Sequence, residues 1–183
     1  MRSAVDKNSR EYLEGKMKSA RHSLLLVLIF TVVNLVLLLA DGITYFLFSA
    51  SVPYYLTAFG MGMDLEMASY PYTTTALAIS AVILAAYLLC WIFSKKRIGW
   101  YVVALVLFII DTALLVLLAM AFEMLADSIM DFVFHGWVVL ELCQALSCHK
   151  KLKALPPEPV AEPIPVPETL ASVSDEPWNT PGQ

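Results

Sequence analysis

With 183 residues, 59% of them hydrophobic, and a mean hydropathy of +0.70, the chain is too apolar for a water-soluble domain of its size. Its 12 basic and 16 acidic residues leave a net charge of −4, which gives no reason to expect a nucleic-acid partner. The apolar excess sits in long unbroken runs, and these point to an all-α polytopic membrane protein, a bundle of four transmembrane helices.

In chain order, residues 1–22 form a basic lead-in, with Glu14 four residues before Lys18, a spacing that supports a helical approach to the membrane. The transmembrane domain covers 23–150, with spans predicted at about 23–48, 73–94, 99–122 and 129–148, because a crossing helix needs about 20 mostly apolar residues. The run Leu24–Ala40 is too long for a signal-peptide core and has no small-residue cleavage site after it, so the first span is read as uncleaved. That span is long enough to continue along the outer interface. The outer loop, 49–72, is rich in apolar and aromatic residues and is expected in the headgroup layer or as a cap over the bundle. A re-entrant path requires its backbone to be buried in protein.

The fourth span is the most polar, carrying Asp131, His135, Glu141 and Gln144. Beyond it, 151–183 changes character: "LPPEPVAEPIPVPETLASVSDEPWNTPGQ" holds eight prolines and five acids with no basic residue, a composition expected to stay disordered as a cytosolic tail. Its single PxxP, Pro156–Pro159, is the feature a cytosolic partner would read.

Charge sets the orientation. Basic residues fall in three clusters: Arg2 to Arg21, Lys95 to Arg97, and Lys150 to Lys153. Four spans put all three on one side, and the opposite connections carry Asp64, Glu66, Glu123 and Asp127 with no Lys or Arg. The positive-inside rule then places both termini in the cytosol. Cys90, Cys143 and Cys148 fall on that side too, where they are expected to be reduced.

The stretch "TYFLFSASVPYYLTAFG", following a first helix rich in Leu and Val, resembles small uncharacterised four-span membrane proteins of Gram-positive bacteria. The resemblance covers the first helix and the outer loop. It implies a bacterial plasma membrane and carries no activity.

Few residues are candidates for function. Counting from the nearest basic anchor, Asn34, Ser80, Asp111 and His135 lie 13, 15, 14 and 15 residues into their spans. At 1.5 Å per residue that is about 20–22 Å, one polar residue per helix in a shared layer. Asp111 stands in "VLFIIDTALLVLL" with no Lys or Arg in any span to hold its charge. It is expected to be protonated and hydrogen-bonded to Asn34 or Ser80, or paired with His135. Asp41 shares a face with Thr31 and Asn34, and Glu141 and Gln144 form a second polar group nearer the cytosol. Thr74, Ala78, Ala81 and Ala85 make a small-residue stripe suited to helix packing.

Intramembrane ionisable groups often mark proton or cation paths. Four helices with this few polar residues make a narrow path, so interhelical hydrogen bonding is the favoured reading and a small transporter or ion-conducting subunit the alternative. Met61, Met63 and Met67 beside Asp64 and Glu66 suit Cu(I), yet Met is equally ordinary apolar filler at an interface. Phosphate-loop, GxSxG and HExxH motifs are lacking, and Asp111 is too deep to meet Asp127 or Asp131 as an aspartyl-protease pair. The expectation is a non-enzymatic protein without cofactor or metal. Its partners are the lipid bilayer, a second copy or another membrane protein, and a cytosolic protein for the tail.

Overall fold

The computed structural model describes residues 8–40, 45–67, 70–126 and 128–156. Five helices follow in order: α1 (Arg10–Leu39), α2 (Ser51–Glu66), α3 (Tyr72–Phe93), α4 (Gly99–Ala121) and α5 (Ile129–Ala154). Four of them, α1, α3, α4 and α5, are long and apolar enough to cross a membrane. The fold is an all-α, multi-pass membrane architecture. Predicted Asp41, Asp127 and the acidic segment from Pro157 onward lie outside the described residues.

The four long helices form a ring in the order α1, α3, α4, α5, and α2 packs against α1, α3 and α4. Buried positions recur every three or four residues: Leu24, Val27, Thr31 and Asn34 on α1, and Ala104, Phe108, Asp111 and Leu115 on α4. The outward faces are apolar instead, with Val82 70% and Leu117 61% exposed. Polar atoms inside and aliphatic carbon outside is the arrangement that lipid, and not water, favours.

Three predicted spans match their helices closely at the start. The first does not. α1 begins 13 residues before the predicted start and stops at Leu39 instead of running to residue 48. Ser9 caps its N-terminus, its Oγ accepting the Tyr12 N–H at 3.3 Å, and Leu13 and Ala20 are buried at 1% exposure. The lead-in therefore has an apolar face, which hydropathy averaging hides among its charges. α5 likewise continues six residues past the predicted end.

The described members of the three basic clusters, from Arg10 onward, gather at one end. Arg21 donates to Ser94 Oγ at 3.2 Å and to the Trp91 carbonyl at 3.4 Å, satisfying an open carbonyl at the C-terminus of α3. Arg10 reaches the Pro156 carbonyl at 3.0 Å, and the Tyr101 hydroxyl donates to the Met17 carbonyl at 3.0 Å. The opposite end holds Asp64, Glu66 and Glu123. There α4 ends in a left-handed turn at Glu123 (φ 56°), and the Met124 N–H bonds to the Ala119 carbonyl at 2.8 Å.

The largest departure from expectation is the outer loop. It does not simply cover the bundle. Residues 45–50 descend beside α1, and α2 starts near mid-span and climbs back toward the acidic end. Asp111, which meets the start of α2, is twelve residues after Gly99 and ten before Ala121, about 18 and 15 Å along α4. Ala50 and Ser51 are fully buried, so the condition for a re-entrant backbone is met by protein contacts.

The small-residue stripe lies on the outward face of its helix. Thr74, Ala78, Ala81 and Ala85 are all exposed on α3, whose buried face is Ala76, Ser80, Tyr87 and Cys90. Within the chain, close approach to α3 comes instead from Gly60 of α2. A Cβ there would stand 2.9 Å from Ala76 Cβ, 3.0 Å from the Tyr72 carbonyl and 3.1 Å from Thr73 Cα. Small side chains permit close packing but do not say from which side the neighbour comes.

Candidate functional site

A helix that begins inside a bundle has a problem at its first turn. Its first N–H groups have no partner within the helix, and each left bare in a buried place costs about 1–3 kcal/mol. α2 has no side-chain cap of its own, since its N-cap residue is Ala50. The donors are met from other helices. Ala50 N–H reaches Thr31 Oγ1 at 2.8 Å; Ser51 and Val52 N–H reach Asp111 Oδ2 and Oδ1, both at 2.9 Å. The next residue, Pro53, has no N–H to satisfy. The accounting closes with Asp111 as a cap supplied by α4, its two oxygens set against the positive end of the α2 dipole.

His135 of α5 completes the site. Its Nε2 is 2.9 Å from Asp111 Oδ2 and 3.4 Å from Ser51 Oγ, and its Nδ1 is 2.8 Å from the Asp131 carbonyl. That carbonyl only accepts, so Nδ1 carries hydrogen. The Nε2 to Oδ2 contact then needs one proton of its own, and the pair is net neutral whichever partner holds it. Phe108 stacks on the imidazole at 4.9 Å between ring centroids, and His135 is 1% and Asp111 3% exposed. Among the described residues this is the only contact within 4.0 Å between an acidic and a basic side chain.

Asn34 and Ser80 hold the same segment from two further sides. The Asn34 amide donates to the Phe46 carbonyl at 2.8 Å and to Ser49 Oγ at 2.9 Å, and its Oδ1 accepts the Phe46 N–H at 2.8 Å. Ser80 Oγ donates to the Pro53 carbonyl at 3.1 Å and lies 3.3 Å from Thr57 Oγ1. All four members of the predicted layer thus touch residues 46–57. They meet through that segment and, apart from the Asp111–His135 contact, not directly. Neither Asn34 nor Ser80 is the partner of Asp111.

The secondary candidates go elsewhere. Glu141 accepts hydrogen bonds from Ser19 Oγ at 3.2 Å and from Ser23 Oγ, joining α5 to α1 below the layer. Gln144 is exposed and lines a groove between the same two helices.

Sequence reasoning missed two features. One is Asp64, which accepts the Tyr72 and Thr73 N–H groups at 2.7 and 3.0 Å and so caps α3 as Asp111 caps α2. Hydrogen bonds from Thr73 and from the Tyr72 backbone hold its carboxyl below the ordinary carboxylate value. The other is the helix start itself. "SASVP" at 49–53, serines followed by a first-turn proline, is the signal that would have found it.

Comparison with protein-family models, curated proteins and solved structures gives no match. The site's geometry is therefore what bears on function.

Proposed function

We propose that the chain is a non-enzymatic membrane protein that works through helix association, its buried polar layer serving to hold the re-entrant segment. The carrying observation is the full use of Asp111. Both oxygens accept N–H groups of α2 and one also meets His135, which leaves little for a transported ion to bind. The association reading is supported by the stripe Thr74, Ala78, Ala81 and Ala85, which faces away from the chain's own bundle and is free to meet a second helix, in another copy or another membrane protein. The charge asymmetry favours cytosolic termini, and the resemblance noted above favours a bacterial plasma membrane.

Because Ala81 is exposed, Ala81→Leu should leave stability within about 0.5 kcal/mol. Cross-linking in membranes should nevertheless show the wild-type assembly lost. An assembly that survives this change, or a wild type with no copy or partner to lose, removes the association reading.

A second reading, a small proton- or cation-conducting subunit, has one observation in its favour. Asp131, 5% exposed and one turn before His135, has a carboxylate oxygen, Oδ1, with no hydrogen-bond partner. Proteoliposome flux of wild type, Asp131→Asn and Asp111→Asn at matched incorporation decides it. Flux that disappears in Asp131→Asn while the protein stays folded would put transport first; a wild type without flux would retire it.

A further inference from the structure

At the basic end, α1 and α5 leave a groove of about 450 Å³ between them. Its upper part is lined by Lys16, Lys151 and the polar side chains of Tyr12 and Ser147, and its lower part by Cys143 and Leu140. No carboxylate lines it, and neither lysine belongs to an ion pair among the described residues. Leu140 lies eleven residues before Lys151, about 16 Å along α5, and is 61% exposed on the bundle's outer surface. The groove therefore passes from two lysines that make no ion pair, by way of Gln144 and Cys143, to the exposed Leu140 side chain.

We propose that this groove binds an anionic phospholipid, its phosphate between Lys16 and Lys151 and an acyl chain against Leu140. Two features select a lipid over a free anion. The charged part is continuous with an apolar part that phosphate would leave empty, and each lysine near a membrane surface adds about fivefold to the affinity for anionic headgroups. The sequence gives no hint of the site, because Lys16 and Lys151 are brought together only by the antiparallel packing of α1 and α5. The proposal rests on the reading that the basic end lies at a membrane surface.

Cys143 is a built-in reporter. It lines the groove and is exposed, whereas Cys148, which also lines the groove, and Cys90 are buried. The full chain is reconstituted into phosphatidylcholine vesicles with or without phosphatidylglycerol, and alkylation of Cys143 by a neutral maleimide is timed, with Cys143→Ser identifying its phase. Phosphatidylglycerol should slow that phase several-fold. The double variant Lys16→Gln/Lys151→Gln should need about thirtyfold more phosphatidylglycerol for the same protection. A control with equal loss of charge outside the groove, Lys18→Gln/Lys153→Gln, should lose clearly less protection than the groove variant.

Equal loss of protection in the control would reduce the effect to surface potential and overturn the proposal. So would equal protection by inorganic phosphate alone. The chain's own acidic segment is tested by changing Glu158, Glu162 and Glu168 to Gln; faster alkylation in phosphatidylcholine alone would name that segment as the occupant and overturn it too. Flotation of the protein with no vesicle of any composition would overturn the membrane reading itself, whereas flotation without lipid-dependent protection overturns only the groove.

Discussion

The two halves of the bundle are packed by different chemistry. Toward the basic end the core is apolar: Leu24 and Val27 of α1, Tyr87 of α3, Tyr101 and Phe108 of α4, and Val138 and Leu142 of α5. Toward the acidic end a polar set is buried, Thr31, Asn34, Ser51, Thr57, Ser80, Asp111, Asp131 and His135, beside the apolar Leu35, Ala50, Ala76, Leu115 and Ala119. Phe108 stacked on His135 marks the boundary. The difference follows from what each half must satisfy. Four continuous helices supply their own backbone hydrogen bonds, so side chains between them need only fit. The acidic half also holds a chain that descends without regular structure and then starts a helix, and its free N–H and C=O groups need polar partners where water is excluded.

The sharpest way to break this contrast is to remove Asp111. Asp111→Ala would leave two N–H groups of α2 without partners and take from His135 Nε2 its 2.9 Å contact, and a loss of about 3–5 kcal/mol is expected in reversible unfolding. Hydrogen exchange should show the Ser51 and Val52 amides deprotected. Leu142→Ala, in the apolar half, should lose a comparable or smaller amount, about 2–5 kcal/mol, by leaving a cavity. Exchange at the start of α2 should then be unchanged in the folded protein. If both variants deprotect that turn equally, the two halves are one unit and the contrast fails.

A smaller effect tests the seam between α2 and α3. Gly60→Val places carbon against backbone atoms of Tyr72 and Thr73, which cannot swing aside, and should destabilise by about 1–3 kcal/mol. A neutral result would mean that α2 moves readily and that the Asp111 cap alone holds it.

The smallest effect compares the two carboxylate caps. Asp64 is half-buried at the protein's end, Asp111 is enclosed. Hydrogen bonding lowers the Asp64 carboxyl from its ordinary 3.8, so its stabilisation is complete above that value. It declines as pH falls from about 4 through the lowered folded-state value. The advantage of wild type over Asp64→Asn in unfolding midpoint should shrink only in that acid window, and parallel pH profiles throughout would show the cap contributes nothing.

Hydropathy made three helix starts legible because a membrane-spanning helix is read from local composition alone. It misplaced the first helix because the apolar face of Leu13, Met17 and Ala20 is diluted by charges on the other side. Counting residues from the basic anchors put Asn34, Ser80, Asp111 and His135 at one depth, and the structure brings each of them to residues 46–57. What they do there was not legible, because their partners are mostly backbone groups and these look alike in every sequence. The same blindness hid which side of α3 its neighbour occupies.

Sequence by itself determined the number of long apolar helices, the three basic clusters and the similar spacing of Asn34, Ser80, Asp111 and His135 from their basic anchors. Each depends on composition and spacing along a single helix. Only the tertiary structure decided that the outer loop turns inward, that Asp111 caps a helix from across the bundle, and that Lys16 and Lys151 flank one groove. These depend on which helix lies beside which, and that is settled by satisfying a buried backbone far from the residues that do it.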